Sequence, residues 1–235
     1  MTTSPSWITT LPSNRLMAEY SLWSANLVNM SDEIARVDKH VDIYHIDVAD
    51  GHFSPALLFF PDLVAGCRKL SNKPLHVHLM TSDKILLDQV EQFADAGANL
   101  ISVHAENNNA DEALAMIEGR GLASGIVLQL HTPVATAAKW LKQISMLTLL
   151  GTRIGIKGQG LDEQAEQRLR DAKALIASAA HSHRIILAAD GGIREHTVPG
   201  LRNSGAETIV MGSLAFNAPD LDARMAWVHA QGKAA

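Results

Sequence analysis

Short apolar runs recur eight times along this chain, at residues 16–21, 43–48, 75–80, 100–104, 125–130, 146–152, 185–189 and 208–211. Several are too short for helices and rich in Val and Ile, the signature of strands buried on both faces. Longer stretches of helical period lie between and after them, at residues 83–96, 111–118, 134–143, 163–180 and 218–230. Ser82-Asp83 and Thr132-Pro133 supply helix starts, and Gly97, Gly121 and Gly205 stand where helices should stop. A strand followed by a helix, repeated about eight times at roughly 25–30 residues per unit, predicts an α/β fold, a single (β/α)8 TIM barrel. The competing architecture is a doubly wound open sheet. It calls for a Gly-rich turn after the first strand, whereas the glycines gather after the sixth, seventh and eighth runs.

A barrel of this kind uses about 250 residues, so a chain of 235 accommodates one without much to spare. No Pro- or Ser-rich linker divides the interior. The expected organisation is an N-terminal extension over residues 1–14, read as a ragged leader, then a catalytic barrel over 15–230 and a frayed tail over 231–235. The leader lacks an apolar core of secretory length, and no apolar run approaches the length of a membrane span. A hydrophobic share of 47% against 19% charged residues excludes intrinsic disorder, and a net charge of -5 argues against nucleic acid or an anionic membrane as partner. The single cysteine, Cys67, permits neither an internal disulfide nor a Cys-rich zinc site. A cytoplasmic globular protein is the expectation.

Chemistry in a barrel sits at the carboxyl ends of the strands. The second run reads Tyr44-His45-Ile46-Asp47-Val48-Ala49-Asp50-Gly51-His52, and its pleat puts His45 and Asp47 on one side with Ile46 and Val48 on the other. The third run repeats the oddity with His76 and His78, and the seventh ends Asp190-Gly191-Gly192. An imidazole or a carboxylate on an inward face is costly unless something pairs with it. Two explanations stay open from spacing alone: a divalent metal site at the barrel mouth, or hydrogen-bonded framework with turn-forming aspartates. His52 and His104 read as framework, and His181 and His183 as solvated loop residues. A second constellation is glycine: Gly155, Gly158 and Gly160 after the sixth run, Gly191-Gly192 after the seventh and Gly212-Ser213 after the eighth. Each alone suits a turn. Together they suit a phosphate grip, since loops after strands seven and eight of barrels recurrently bind phosphate through the backbone.

Ordered along the chain, these residues resemble the ribulose-phosphate 3-epimerase family from about Ser21 to Phe216. The specific pieces are Ser21-Leu22-Trp23-Ser24-Ala25-Asn26-Leu27, His45-Ile46-Asp47-Val48-Ala49-Asp50-Gly51-His52-Phe53 and His78-Leu79-Met80. Weaker ones include His104-Ala105-Glu106, Asp190-Gly191-Gly192-Ile193 and Met211-Gly212-Ser213. The resemblance implies a metal-dependent epimerase inverting carbon 3 of a phosphorylated ketose through a cis-enediolate. It implies one divalent ion, usually zinc with iron(II) or manganese in some members, on His45, Asp47, His78 and Asp190. Asp47 and Asp190 match the acid/base pair, and Ser21 and His78 match substrate contacts. Gly191, Gly192, Gly212 and Ser213 match the phosphate grip, and the 155–159 stretch, with Gly155 and Gly158, matches a closing loop. No organic cofactor is implied, and related enzymes form homo-oligomers from dimers to hexamers.

The chain also departs from the family pattern. Arg153-Ile154-Gly155-Ile156-Lys157-Gly158-Gln159 replaces the usual Glu-Pro-Gly-Phe-Gly-Gly-Gln, losing a proline and gaining two cations. Of three pocket methionines only Met80 remains, with Ala49 and Leu150 at the others, and Gln129-Leu130 replaces Asn-Pro. A pocket of altered shape near carbon 3 is expected, so ribulose 5-phosphate competes with related ketose phosphates such as allulose 6-phosphate. Within enzymes, the alternatives are a related barrel phosphosugar isomerase or aldolase. A non-catalytic phosphosugar-binding relative is an alternative of another class. A decarboxylase of the same superfamily would carry an Asp-x-Lys-x-x-Asp array, and Asp47-Val48-Ala49-Asp50 lacks the lysine.

Overall fold

In a computed structural model, which describes residues 5–232, eight parallel strands close into a barrel. They are β1 (Met17–Ser21), β2 (Ile43–Asp50), β3 (Leu75–Met80), β4 (Leu100–His104), β5 (Ala123–Leu128), β6 (Met146–Leu150), β7 (Ile186–Asp190) and β8 (Thr208–Met211). Each pairs with its neighbours in chain order, and β1 pairs with both β2 and β8, which closes the ring. A two-residue antiparallel strand, Leu57–Leu58, returns against the end of β2.

All eight apolar runs are strands, three of them with the predicted limits. The fifth run is displaced: β5 covers Ala123–Leu128 rather than 125–130. The physical reason is that the Gln129 N–H is taken by the Glu106 carboxylate at 3.1 Å, after which the chain turns with Thr132 N–H on the Gln129 carbonyl. The sixth run stops at Leu150: the bond from Gly151 N–H to the Asp190 carbonyl at 2.6 Å is the last rung between β6 and β7, and the Gly151 carbonyl is then taken by Asp162 N–H at 2.8 Å.

With the short α7 (Val198–Asn203) and α8 (Ser213–Phe216) intervening late in the chain, the expected helices are present at α4 (Asp83–Asp95), α5 (Ala110–Gly119), α6 (Ala165–Ser178) and α9 (Leu221–His229). The last starts later than predicted, where the Asp220 side chain accepts from Ala223 N–H. Gly97 and Gly121 follow α4 and α5 in the left-handed conformation that stops a helix. One assignment needs correction: residues 134–143 form a 3-10 helix over Val134–Trp140, opened by an i→i+3 bond from Thr136 N–H to the Pro133 carbonyl. Periodicity did not single out α2 (Met30–Val37) or α3 (Pro61–Leu70), although Pro61 occupies the favoured first turn of α3.

The leader is not loose throughout. Residues Ser6–Thr10 form helix α1, and Ile8 is fully buried. It packs with Met17, Ile43, Leu100, Ala123, Met146, Ile186 and Ala188, a cluster of inward-facing strand residues that Trp7 and Leu11 also cover. Helix α1 therefore plugs the amino-terminal end of the barrel. Arg184 ties it down through the carbonyls of Leu11 and Pro12, both at 2.8 Å. The rest of the expected extension and tail, residues 1–4 and 233–235, lies outside the described residues. Outward-facing strand residues such as Ile46, Val77, Ile101 and Val103 share the main core with Leu86, Val90 and Phe93 of α4 and Leu114 and Ile117 of α5. One end of the barrel is thus closed by apolar packing, which leaves the carboxyl end for chemistry.

Candidate functional site

Alternation along β2 puts Ile43, His45, Asp47 and Ala49 on one face, rising from the plug towards the mouth. Strand register sets His45 beside Ser21 and His76, and Asp47 beside His78. Asp190 ends β7 across the barrel. His45 Nε2 lies 3.3 Å from Asp47 Oδ1 and 3.9 Å from Asp190 Oδ2. His78 Nδ1 lies 3.4 and 3.7 Å from the same two oxygens. The Ser21 hydroxyl donates to Asp47 Oδ2 at 2.9 Å.

These four side chains fit a divalent cation. His45 Nε2 and His78 Nδ1 are buried without a hydrogen-bond partner, although buried polar nitrogens are normally satisfied. One donor atom from each residue falls within a common span of 4.8 Å. Ligand distances of about 2.1 Å in a tetrahedral site imply donor separations of about 3.4 Å, the scale of the spacings found. Two imidazoles and two carboxylates suit zinc, iron(II) or manganese.

The two acids are tuned apart. Burial alone would raise Asp47, yet His45 and His78 hold its carboxyl well below the usual carboxylate range. Burial pushes Asp190 up to about 6, with the nearby imidazoles opposing and the Asp47 charge adding to the rise. Burial opposes charge on His45, but Asp47, Glu19 and Asp190 raise it well above an ordinary histidine.

Behind the imidazoles stand two carboxylates. Glu19 Oε2 lies 3.1 Å from His45 Nδ1. His78 Nε2 meets His104 Nε2 at 2.9 Å, and His104 Nδ1 meets Glu106 Oε2 at 3.1 Å. Glu106 is held by Gln129 N–H and by the Thr132 hydroxyl. Glu19 was not singled out from sequence, although a glutamate between Ala18 and Tyr20 in an apolar run is the signal that points to it.

Burial pushes His76 and His104 down to about 4. Between about 4 and the ordinary histidine value the unfolded chain takes up protons that the folded chain refuses, so stability rises with pH across that window and is complete above it. Asp190 and His45, with their raised values, contribute with the opposite sign. Chelated protein is expected to melt lower at pH 5 than at pH 7.5, and His104→Asn to shrink that difference when both are followed by thermal unfolding. An unchanged difference in the variant would remove His104 from this account.

A cavity of about 390 Å³ opens above the four side chains. Ser21, Asp47, His78, Gly155, Gly158, Asp190, Gly191, Gly192, Gly212 and Ser213 all line it, with Met80, Leu150, Arg153 and Lys157, while His45 lies beneath, fully buried. The glycines also have packing reasons of their own. A Cβ on Gly192 would come within 2.7 Å of the Leu161 Cα, so glycine lets two loops touch. The Lys157 ammonium donates to the Trp23 carbonyl and sits 4.7 Å over the Trp23 ring, which folds the 155–159 loop towards β1.

Other sequence candidates fall outside the cluster. Asp50 is a turn residue, accepting from His52, Phe53 and Ser82 N–H, and His52 is exposed. His104 is buried framework. His181 and His183 need correction: they are half-buried, not solvated, because their rings bond main-chain carbonyls of Ile176, His183 and Ile144 at 2.8–3.0 Å. Among the described residues no helix is long and apolar enough to cross a membrane.

The sequence model of the Ribulose-phosphate 3 epimerase family matches residues 17–216. Ribulose-phosphate 3-epimerase 1 of Cupriavidus necator is 32% identical over 206 residues, covering 86% of this chain and 85% of that protein. The Bacillus subtilis ribulose-phosphate 3-epimerase is 31% identical over 202 residues, covering 85% and 92%. Among solved structures, a 3-hexulose-6-phosphate synthase superposes with a TM-score of 0.64 at 16% identity, covering 92% of this chain and 99% of that one. An orotidine 5'-phosphate decarboxylase from Pyrococcus horikoshii gives 0.63 at 13%, covering 92% and 98%. These two share the barrel and carry no argument about activity. The family match over most of the chain, joined to relatives more than 30% identical across over four fifths of it, places this chain in the ribulose-phosphate 3-epimerase family.

Proposed function

We propose that this protein, an isomerase of the epimerase type acting on carbohydrates, inverts carbon 3 of a phosphorylated ketose. The observation that carries the reading is the pair Asp47 and Asp190, two acids of opposite protonation tendency facing the same two imidazole nitrogens at the floor of the cavity. Inversion next to a carbonyl requires one group to take the carbon-3 proton and another to return one from the opposite face, by way of a cis-enediolate. A carboxylate held ionised suits the first task and a carboxyl whose burial makes it easier to protonate suits the second, with the roles exchanged in reverse. Ser21 fixes the Asp47 carboxylate through its hydroxyl. His45, Asp47, His78 and Asp190 would hold a divalent cation, zinc foremost with iron(II) or manganese as alternatives, and its charge would stabilise the oxygen on which negative charge grows.

Gly191, Gly192, Gly212 and Ser213 are assigned to the phosphate end, and Gly155 and Gly158 to the loop above it. Leu150 and Met80 both line the cavity, and Leu150 stands where the family has a methionine, so the substrates to test include allulose 6-phosphate beside ribulose 5-phosphate. The experiment is incubation in deuterated water with a panel of ketose phosphates, following carbon 3 by NMR. Deuterium entering with inversion is the expected result. An aldose product would indicate an isomerase and two fragments an aldolase. Binding without exchange would indicate a non-catalytic phosphosugar-binding protein, and each of these would overturn the proposal.

A further inference from the structure

The barrel interior carries a carboxylate that proton transfer at carbon 3 does not use. Glu19 lies in the middle of β1, fully buried, two residues below Ser21 on the inner face. Its Oε2 is 3.1 Å from His45 Nδ1 and 2.7 Å from His76 Nδ1, while Oε1 has no hydrogen-bond partner. The two imidazoles are its hydrogen-bonding environment.

The capacities of these groups admit one consistent assignment. A carboxylate only accepts, so each Nδ1 carries its proton. His76 then presents a bare Nε2 at 2.8 Å from the Ser102 hydroxyl, which donates to it. Ser102 has room for that hydroxyl because its register partner on β5 is Gly125, where a Cβ would overlap the Ser102 Oγ. His45, with its Nδ1 proton donated to Glu19, turns Nε2 to the space between Asp47 Oδ1 and Asp190 Oδ2, where a bound cation would take the place of a proton. The chain of bonds runs from Ser102 through His76 to Glu19 and selects one tautomer of His45. A separate cation held by Glu19, His45 and His76, whose donor atoms also fall within 4.8 Å, would need both Nδ1 atoms bare; the 2.7 Å contact and the complete burial of all three side chains favour the hydrogen-bonded arrangement.

We infer that Glu19 is a positioning residue for the metal centre: by accepting from His45 Nδ1 it fixes the ring and the tautomer that deliver Nε2 to the cation. It touches neither substrate nor reacting atoms. The inference rests on His45 being a ligand, as proposed above. Carboxylates behind a ligating histidine raise its basicity and set its orientation, and removing one typically costs about 10- to 100-fold in metal affinity.

The test is Glu19→Gln, which keeps the shape and removes the charge. Zn2+ affinity, measured by competition with a chromophoric chelator, is expected to fall about 10- to 100-fold. The visible spectrum of the Co2+-substituted protein is expected to shift, and Glu19→Asp to recover part of the affinity. A folded Glu19→Gln protein with unchanged affinity and an unchanged cobalt spectrum would overturn the inference and leave Glu19 a packing role. Should that variant not fold, the unmodified protein decides. In the zinc-loaded state, 15N NMR is expected to find His45 protonated at Nδ1 and metal-bound at Nε2, and the reverse tautomer overturns the inference. An unmodified protein that binds none of Zn2+, Mn2+ and Co2+ would defeat the metal reading itself, an outcome distinct from a metal-binding protein indifferent to Glu19.

Discussion

Asp190→Asn is expected to lower turnover at least about a hundredfold, equivalent to about 2.7 kcal/mol of barrier, and Asp47→Asn to do the same. Each variant keeps an oxygen that can face a cation but loses the group that exchanges a proton. The two are expected to fail differently. With Asp190 replaced, Asp47 is left to remove a proton from its own face and return one to the same face. Solvent deuterium then enters one epimer without inversion. Asp47→Asn reverses the preference, so that the other epimer exchanges. The comparison is made by NMR in deuterated water on protein whose metal content has been measured, so that lost ligation is not mistaken for lost proton transfer. Near-normal turnover in either variant would show that inversion does not need two carboxylates.

Removing divalent metal is expected to abolish turnover, with recovery on adding Zn2+, Mn2+ or Fe2+. The reason lies in what the fold leaves behind. Without a cation, His45 Nε2 and His78 Nδ1 are buried and unpaired, and two acids face each other nearby. Each unsatisfied buried group costs about 1–3 kcal/mol. A cation present at about a thousand times its dissociation constant stabilises the folded state by about 4 kcal/mol. For a chain of this length that corresponds to roughly 10 °C in Tm. Chelation is therefore expected to lower the melting temperature together with activity, and one metal should restore both. Full activity and an unchanged melting point after exhaustive chelation would remove the metal from function and from stability alike.

Much of this was legible locally. The period of apolar residues named eight strands, and the two-residue spacing of His45 and Asp47, and of His76 and His78, put each pair on one face of its strand. Spacing could not say that His76 and His78 have different fates. His78 meets Asp47 and Asp190 at the mouth, whereas His76, one step deeper, meets Glu19 and Ser102. Nor could it separate two strand-end aspartates that each precede glycine, Asp50 in a turn and Asp190 in the cluster.

Alternation dictates which face a side chain takes, because the pleat is a local property of the backbone. Depth and partnership come from the stagger of eight strands and from closure of β1 on β8, which bring together residues 19, 45 and 76, and residues 47, 78 and 190, from distant parts of the chain. The same closure gives Ile8 an apolar floor to plug and turns a leader that reads as loose into a helix. Pattern therefore set the fold and the candidate ligands, while the packed ring selected which polar residues face the cavity and which stand behind them.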